Sequence, residues 1–363
     1  MALPPGLVSR PFVYGLLAVV LCSLLVVGLF TVGRAIRIER RNERREAVRP
    51  AVRAALFDRL GGDDPDWEPW IEGLTPSERA VLRDLLDTHL RLLDGDDRER
   101  LQPAVAAVGI DEWAMHMVRT GDRYAKLRAL SWLAYVDHRH DPALIRRACA
   151  DDPALQAAGA RVMVERAYPK APARGIALLL DDPPESLSAF GLDTLYELAR
   201  TRPGFLAEYA EARYERWTDT LLIQVFRVLR VTDSGAAVDR FDWVVDHCRH
   251  DSPDVRAAAI RTLADGGWRP ELRLQVPIDA LTDDPSPAVR AAVYEMLGEW
   301  GDAESVRTLA RVARREEDSR CRLRAVRALA RGRPDDDLEA AVRSDFPSLW
   351  GWAVTGEDRV SAR

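Results

Sequence analysis

The sequence predicts an all-α protein, an α-solenoid of about seven helix pairs preceded by a single transmembrane helix. Three observations lead to this: an uncharged apolar run near the N-terminus, a helical motif that recurs every 30–34 residues, and a helix breaker or cap before most recurrences. These predicted breakers or caps are Asp152, Asp182, Asp219, Ser252, Asp284 and Asp318. At 363 residues the chain exceeds what one hydrophobic core usually organises, so a repeat array or two domains is expected.

The first element is a predicted membrane span over residues 12–33, after a short flank at 1–11. These 22 residues carry no charge, and a helix of that length crosses about 30 Å of hydrocarbon. A cleaved signal peptide is the main alternative. Its apolar stretch would be shorter and would end in a small-residue cleavage site, whereas an arginine cluster follows here.

Residues 34–60 are predicted to form a basic juxtamembrane helix. Eight arginines and three glutamates give residues 34–53 a charge of +5, and Arg10 adds one. Because the whole chain has a net charge of −6, the residues after 53 carry −12. The positive-inside rule therefore places the C-terminal body in the cytoplasm and the N-terminus outside. Some of these arginines are candidates for contact with anionic lipid headgroups; the alternative is that they only fix the topology. The candidates are Arg34, Arg37, Arg40, Arg41, Arg44 and Arg45.

The remaining chain divides into four predicted segments. Residues 61–74 form a linker, and residues 75–119 form an N-terminal helical cap that opens with a capping box between Thr75 and Glu78. Residues 120–345 hold the repeats, and residues 346–363 form a C-terminal cap and tail. We expect Trp350 and Trp352 to cover the last apolar face.

The repeat is defined by apolar residues at offsets 0, +4 and +8 of a helix, such as Val255, Ala259 and Leu263. Seven copies share these offsets, and the residue at +4 is always alanine, glycine or valine. The seven +4 residues are Ala129, Gly159, Gly191, Val225, Ala259, Val293 and Ala325. A small residue there allows a neighbouring helix to approach closely, and no single copy can bury its apolar face alone.

The segments DSPDVRAAAIRTL, from Asp251, and DPSPAVRAAVYEML, from Asp284, resemble HEAT-like repeats, especially the short subtype of phycobilisome lyases. The resemblance covers about residues 120–345 and implies an α-solenoid. It leaves activity open, because such repeats serve scaffolds, regulators and some enzymes. In the HEAT-like pattern, the position of Arg256, Arg290 and Arg322 tends to form a ladder with aspartates between the helices.

Offset +6 points away from the packed side of each helix. Its residues are Ser131, Arg161, Asp193, Arg227, Arg261, Glu295 and Arg327. The four arginines form a candidate groove that could receive an acidic or phosphorylated segment through bidentate hydrogen bonds. The alternative is an ordinary solvated face.

The sequence predicts no catalytic residue, metal site or cofactor. It contains no GxSxG, HExxH, P-loop or GxGxxG motif. The clusters around His138 and His140, and around His247, Cys248 and His250, lie near predicted helix ends, which favours a structural role over metal binding. A body charge of −12 argues against nucleic acid as a partner.

The leading hypothesis is a membrane-anchored, cytoplasm-facing scaffold that binds a protein partner, such as a membrane-associated enzyme or transporter. One alternative is a lyase-like enzyme that acts on a tetrapyrrole, which the resemblance admits. Another is a structural scaffold that associates with itself in the membrane. The oligomeric state is left open by the sequence.

Overall fold

The computed structural model describes residues 10–62, 66–93, 96–136, 141–168, 170–232 and 242–358. Of residues 10–22, 26, 33–38, 41, 96 and 355–358 it describes the backbone alone. These ranges contain helices and no strand, which confirms the predicted all-α class. The α-helices are α1 (Arg10–Leu60), α2 (Trp67–Gly73), α3 (Pro76–Leu92), α4 (Asp96–Ala107), α5 (Ile110–Thr120), α6 (Arg123–Leu133), α7 (Pro142–Cys149), α8 (Pro153–Glu165), α9 (Ala171–Leu180), α10 (Ala189–Thr201), α11 (Phe205–Glu211), α12 (Asp219–Thr232), α13 (Asp242–Asp246), α14 (Pro253–Asp265), α15 (Pro270–Gln275), α16 (Ile278–Thr282), α17 (Pro287–Trp300), α18 (Ala303–Arg315), α19 (Ser319–Arg331), α20 (Asp336–Asp345) and α21 (Pro347–Asp358).

Helix α1 is continuous over 51 residues and includes both the predicted span, 12–33, and the predicted basic helix, 34–60. Within the described part of the chain, no helix combines the length and the apolar character that a bilayer crossing requires. More than half of the predicted span, namely residues 12–22, 26 and 33, is described by its backbone alone. The membrane anchor therefore stays a prediction.

The chain forms two compact units, and the first contains α1 to α4 and the start of α5, up to His116, together with residues 135–136. The C-terminal part of α1 packs on α3, where Leu56 is fully buried. The capping box at the start of α3 is confirmed, because Thr75 Oγ1 accepts from the Glu78 amide and the Glu78 carboxylate accepts from the Thr75 amide. The predicted linker, 61–74, contains the short helix α2.

The second unit contains residues 117–134 and the described chain after residue 140, and it is organised in two layers. Each helix of the first layer contacts the next one: α6, α8, α10, α12, α14, α17 and α19. Helices α7, α9, α13, α16 and α18 pack against this layer and form the second. Because each pair contacts the next pair along the chain, this unit has the architecture of a helical-repeat solenoid.

The repeat register is confirmed residue by residue. All seven residues at offset +4 and all seven at offset +8 are buried, and at offset 0 only Ala125 is partly exposed. Gly159 shows why offset +4 is small. A Cβ atom there would lie 2.9 Å from Cys149 Sγ and 3.1 Å from Ile145 Cγ2, so α7 could not approach α8 as it does.

Two of the predicted helix caps are confirmed. Asp152 accepts hydrogen bonds from the amides of residues 154 and 155 at the start of α8. Asp318 accepts from the amides of residues 320 and 321 at the start of α19. A carboxylate in this position satisfies N–H groups that have no partner inside the helix.

The caps predicted at Asp182 and Asp219 are wrong. Helix α10 begins after Ser188, whose Oγ accepts from the amide of residue 191, because Pro184 disfavours the α conformation at the residue before it. Helix α12 is capped by Thr218, whose Oγ1 accepts from the amide of residue 221 at 3.2 Å.

The last apolar face is covered by α21, which contacts α19. Trp350 is buried there, as predicted, whereas Trp352 is 69% exposed. The prediction for Trp352 is wrong because both residues lie on one helix two positions apart, which places them on different faces.

Candidate partner-binding site

Two of the arginines at offset +1, Arg256 and Arg290, connect consecutive repeats. Arg256 Nε and Nη2 donate to the two carboxylate oxygens of Asp284, each at 2.9 Å. Its Nη1 donates to the backbone carbonyl of His250 at 2.8 Å. The guanidinium therefore joins the start of its own repeat to the start of the next one, with bidentate geometry.

Arg290 repeats this arrangement in the next pair. It donates to both oxygens of Glu316, each at 2.9 Å, and to the carbonyl of Asp284 at 2.8 Å. Arg322 donates to the carbonyl of Glu316, with Nε at 2.8 Å. The acids of this ladder are Asp284 and Glu316, so one of them is a glutamate. Arg256 and Arg290 are largely buried and already hydrogen-bonded to these acids, so they do not form a free binding surface.

Glu316 is the most enclosed acid of the ladder, with 4% of its side chain exposed. It also accepts from Tyr294 Oη at 2.6 Å and from the amide of Asp318 at 3.0 Å. Burial alone would raise its pKa, but the hydrogen bonds from Arg290 and Tyr294 outweigh burial and hold the pKa at about 2. The carboxylate is therefore ionised under all ordinary conditions.

The row at offset +6 is not a uniform line of free arginines. Arg161 lies between two carboxylates, with Nε 2.9 Å from Glu165 Oε1 and Nη1 2.9 Å from Asp193 Oδ2. Arg261 Nε lies 3.8 Å from Glu295 Oε2. Arg227 and Arg327 are exposed, and neither forms an ion pair with any residue that the structure describes.

A pocket of about 300 Å³ lies where Arg227 and Arg261 face each other, between α12 and α14. We call it the first pocket; its lining residues are Ile223, Arg227, Arg230, Asp254, Ala258 and Arg261. Three arginines and one aspartate give the lining a formal charge of +2. Arg230 is anchored by Asp265, with Nε 2.6 Å from Oδ2, so the exposed cation of Arg227 sits beside two arginines held in place by carboxylates.

A second pocket, of about 400 Å³, lies between α17 and α19. Its lining residues are Glu295, Arg320, Leu323, Arg324, Arg327, Ala328 and Arg331. Arg331 Nη1 lies 2.5 Å from Glu299 Oε1, and Arg324 Nη1 is hydrogen-bonded to Glu295. Arg320 and Arg327 are both exposed, which leaves this lining strongly positive.

Sequence reasoning at offset +6 missed four of the arginines in these pockets, namely Arg230, Arg320, Arg324 and Arg331. The signal that could have found Arg320, Arg324 and Arg331 is the helical stripe at offsets −1, +3, +6 and +10 of α19, since residues three and four apart share one helix face. A single offset samples one point of that stripe.

The predicted membrane-surface arginines divide between described and undescribed side chains. Arg40, Arg44 and Arg45 are exposed on α1. The side chains of Arg34, Arg37 and Arg41 lie outside the described residues.

The second histidine cluster belongs to the core. His247 is buried against the rings of Phe226, Trp243 and Tyr214, and its Nδ1 donates to the Trp243 carbonyl at 2.7 Å. Burial lowers the pKa of this imidazole. Among the described residues, no group of three or more histidines, cysteines and carboxylates could hold a metal ion. His138 and His140 lie outside those residues.

Comparison with known proteins supports the repeat class. The family model described as HEAT repeats matches residues 241–330, which include α13 to α18 and most of α19. This is the part of the chain that carries the arginine ladder. A search of curated proteins found no match.

The family match and the stacked helix pairs together support a HEAT-like solenoid. HEAT repeats are commonly scaffolds for protein–protein interaction, and a protein partner is consistent with that. The match concerns HEAT repeats in general and does not address the phycobilisome-lyase subtype.

Proposed function

We propose that the protein is a membrane-anchored, cytoplasm-facing HEAT-like scaffold that binds an acidic segment of a partner protein at its first pocket. One observation carries the binding site: Arg227, Arg230 and Arg261 converge on one opening, and Arg227 has no ion pair within the described residues. Carboxylates and phosphates are the groups that a guanidinium fork binds best.

The charge of the surroundings makes this pocket selective. The chain after residue 53 carries −12, so an acidic ligand is repelled by most of the surface and attracted at the arginine pockets. The carboxylate of Asp265 holds Arg230, whose Nε lies 2.6 Å from its Oδ2, and this reduces the side-chain entropy that Arg230 loses on binding.

Binding is tested with a labelled peptide that carries one cluster of glutamates, by fluorescence anisotropy on the full chain in detergent. The double variant Arg227→Glu/Arg261→Glu should reduce affinity by at least about tenfold, because it replaces two attractions by two repulsions. Arg307→Glu is the matched control, since Arg307 is an exposed arginine on the second-layer helix α18 and lines neither pocket. Equal affinity in the double variant and the control would reject the site.

The membrane anchor and its orientation are part of the same proposal. The support is the uncharged run of residues 12–33, followed by a helix in which Arg40, Arg44 and Arg45 are exposed. An anchor that confines the scaffold to the bilayer raises its effective concentration toward membrane-bound partners, so a modest intrinsic affinity is sufficient.

The anchor is tested by washing membranes from expressing cells with alkaline carbonate. The full chain should stay in the pellet, and a variant that lacks residues 1–33 should be released. A C-terminal epitope should resist protease in intact cells and be cleaved after permeabilisation. Release of the full chain by carbonate would contradict the membrane anchor. Cleavage of the epitope in intact cells would contradict the proposed orientation.

A further inference from the structure

The two arginine pockets open on the same side of the first layer and at the same level. Ala258 and Arg261 occupy offsets +3 and +6 of α14 in the first pocket. Arg324 and Arg327 occupy the same offsets of α19 in the second. No residue of the second layer lines either pocket, so both face away from it.

The distance between the pockets follows from the order of the helices. Helices α12, α14, α17 and α19 contact one another consecutively, and each pocket lies between two neighbours. The pockets are therefore two interhelical spacings apart. With 8–10 Å between packed helices, this is about 16–20 Å.

One carboxylate connects the two pockets. Glu295, on α17, lies 3.8 Å from Arg261 Nε of the first pocket and is hydrogen-bonded to Arg324 Nη1 of the second. Its side chain is one-third exposed, so it lies on the surface that a ligand would cover. Glu295 engages an arginine of each pocket in the way that a carboxylate of a bound segment would.

We propose that one extended segment of a partner protein occupies both pockets, with two carboxylate clusters about five or six residues apart, and that Glu295 competes with it. The spacing follows from about 16–20 Å divided by a rise of about 3.3 Å per extended residue. This inference rests on the proposed acidic-segment function and specifies its ligand.

The role of Glu295 predicts an effect opposite to the loss of an arginine. Glu295→Gln releases Arg261 and Arg324 from their intramolecular partner. Because an exposed ion pair is worth up to about 1 kcal/mol, the variant should bind a two-cluster peptide up to about fivefold more tightly. A purely structural role for Glu295 would leave affinity unchanged or reduce it.

The experiment uses the full chain in detergent and three labelled peptides of equal length and equal charge density per cluster. One has a single glutamate cluster, one has two clusters about six residues apart, and one has two clusters about two residues apart. The peptide with the matched gap should bind at least about tenfold more tightly than the single-cluster peptide, through effective concentration, and the short-gap peptide should not.

Variants separate the contributions of the pockets. Arg320→Glu/Arg327→Glu alters exposed residues of the second pocket, so it should abolish the gain from the matched gap while single-cluster binding persists. Arg307→Glu should change neither. Far-UV circular dichroism verifies that every variant retains its helices.

The outcomes distinguish this inference from the function on which it rests. If the single-cluster peptide does not bind at all, the proposed acidic-segment function fails. If it binds, but gap length and Glu295→Gln have no effect, the two-pocket inference is overturned and the single-pocket function stands. If phosphatidylglycerol added to the detergent micelles displaces the matched peptide while phosphatidylcholine does not, the face is a lipid-binding surface, which also overturns the inference.

Discussion

The hydrogen-bonded carboxylate of Glu316 gives the sharpest test of how the repeats are held together. The substitution Glu316→Gln keeps the size of the side chain and removes its charge. Glu316 is 4% exposed and accepts two bonds from Arg290 and one from Tyr294. An amide in its place resembles the protonated acid, which the site binds poorly.

The magnitude follows from the pKa of Glu316, which is about 2 in the folded protein against 4.5 for a free side chain. Each unit of difference is worth about 1.4 kcal/mol, so the ionised carboxylate contributes about 3 kcal/mol to local stability. Because the folded pKa is depressed, this contribution is fully present above pH 4.5 and is lost as the pH falls toward 2. The cost of Glu316→Gln should decrease over the same interval.

Hydrogen exchange of the amides in α17, α18 and α19 is the appropriate measurement, because a repeat array can open locally. At neutral pH, Glu316→Gln should reduce the opening free energy there by about 3 kcal/mol. The control Glu299→Gln should cost less than about 1 kcal/mol, because Glu299 and its partner Arg331 are both nearly half exposed. Equal effects of the two substitutions would refute the conclusion that the buried Glu316 carboxylate holds these repeats together.

Three further predictions concern the core of the second unit and a control in the first. Gly298→Ala should destabilise the protein by about 1–3 kcal/mol in urea denaturation, because a Cβ would lie 2.8 Å from the backbone oxygen of Ala328; Gly73→Ala, which meets no atom within 4 Å, should not. The buried His247 has a lowered pKa, so stability should fall as the pH drops below 6.5, and His247→Phe should abolish that dependence in urea titrations at about pH 7.5 and about pH 5.5. Burial raises the pKa of Cys149 to about 12, so peptide mapping after iodoacetamide treatment should find it unmodified in native protein and modified in urea.

Much of the solenoid could be predicted from the sequence, because the positions that are buried in each repeat carry apolar or small residues at a regular spacing. The seven small residues at offset +4 are all buried, and Gly159 contacts the neighbouring helices so closely that a methyl group would not fit. Such packing depends on size and spacing along one helix, which a sequence displays directly. The same holds for the caps at Asp152 and Asp318, whose hydrogen bonds are local.

The predictions that depended on partners distant in sequence were less complete. Arg161 and Arg227 occupy the same repeat offset, yet Arg161 is held by two carboxylates and Arg227 lines an open pocket. The difference arises partly from Asp193, which lies 32 residues from Arg161 in the sequence. Asp193 comes within hydrogen-bond distance of Arg161 only when α10 packs beside α8. Offset along one helix could not distinguish them.

The sequence by itself determined that the second unit is an array of helix pairs and which side of each first-layer helix is buried. These properties depend on residues within about one repeat of one another. Only the tertiary structure decided which arginines neutralise acids and which remain available, because charges pair across neighbouring repeats at distances that small side-chain displacements control. The joining of two arginine pockets through Glu295 is such a feature, since it involves three separate helices.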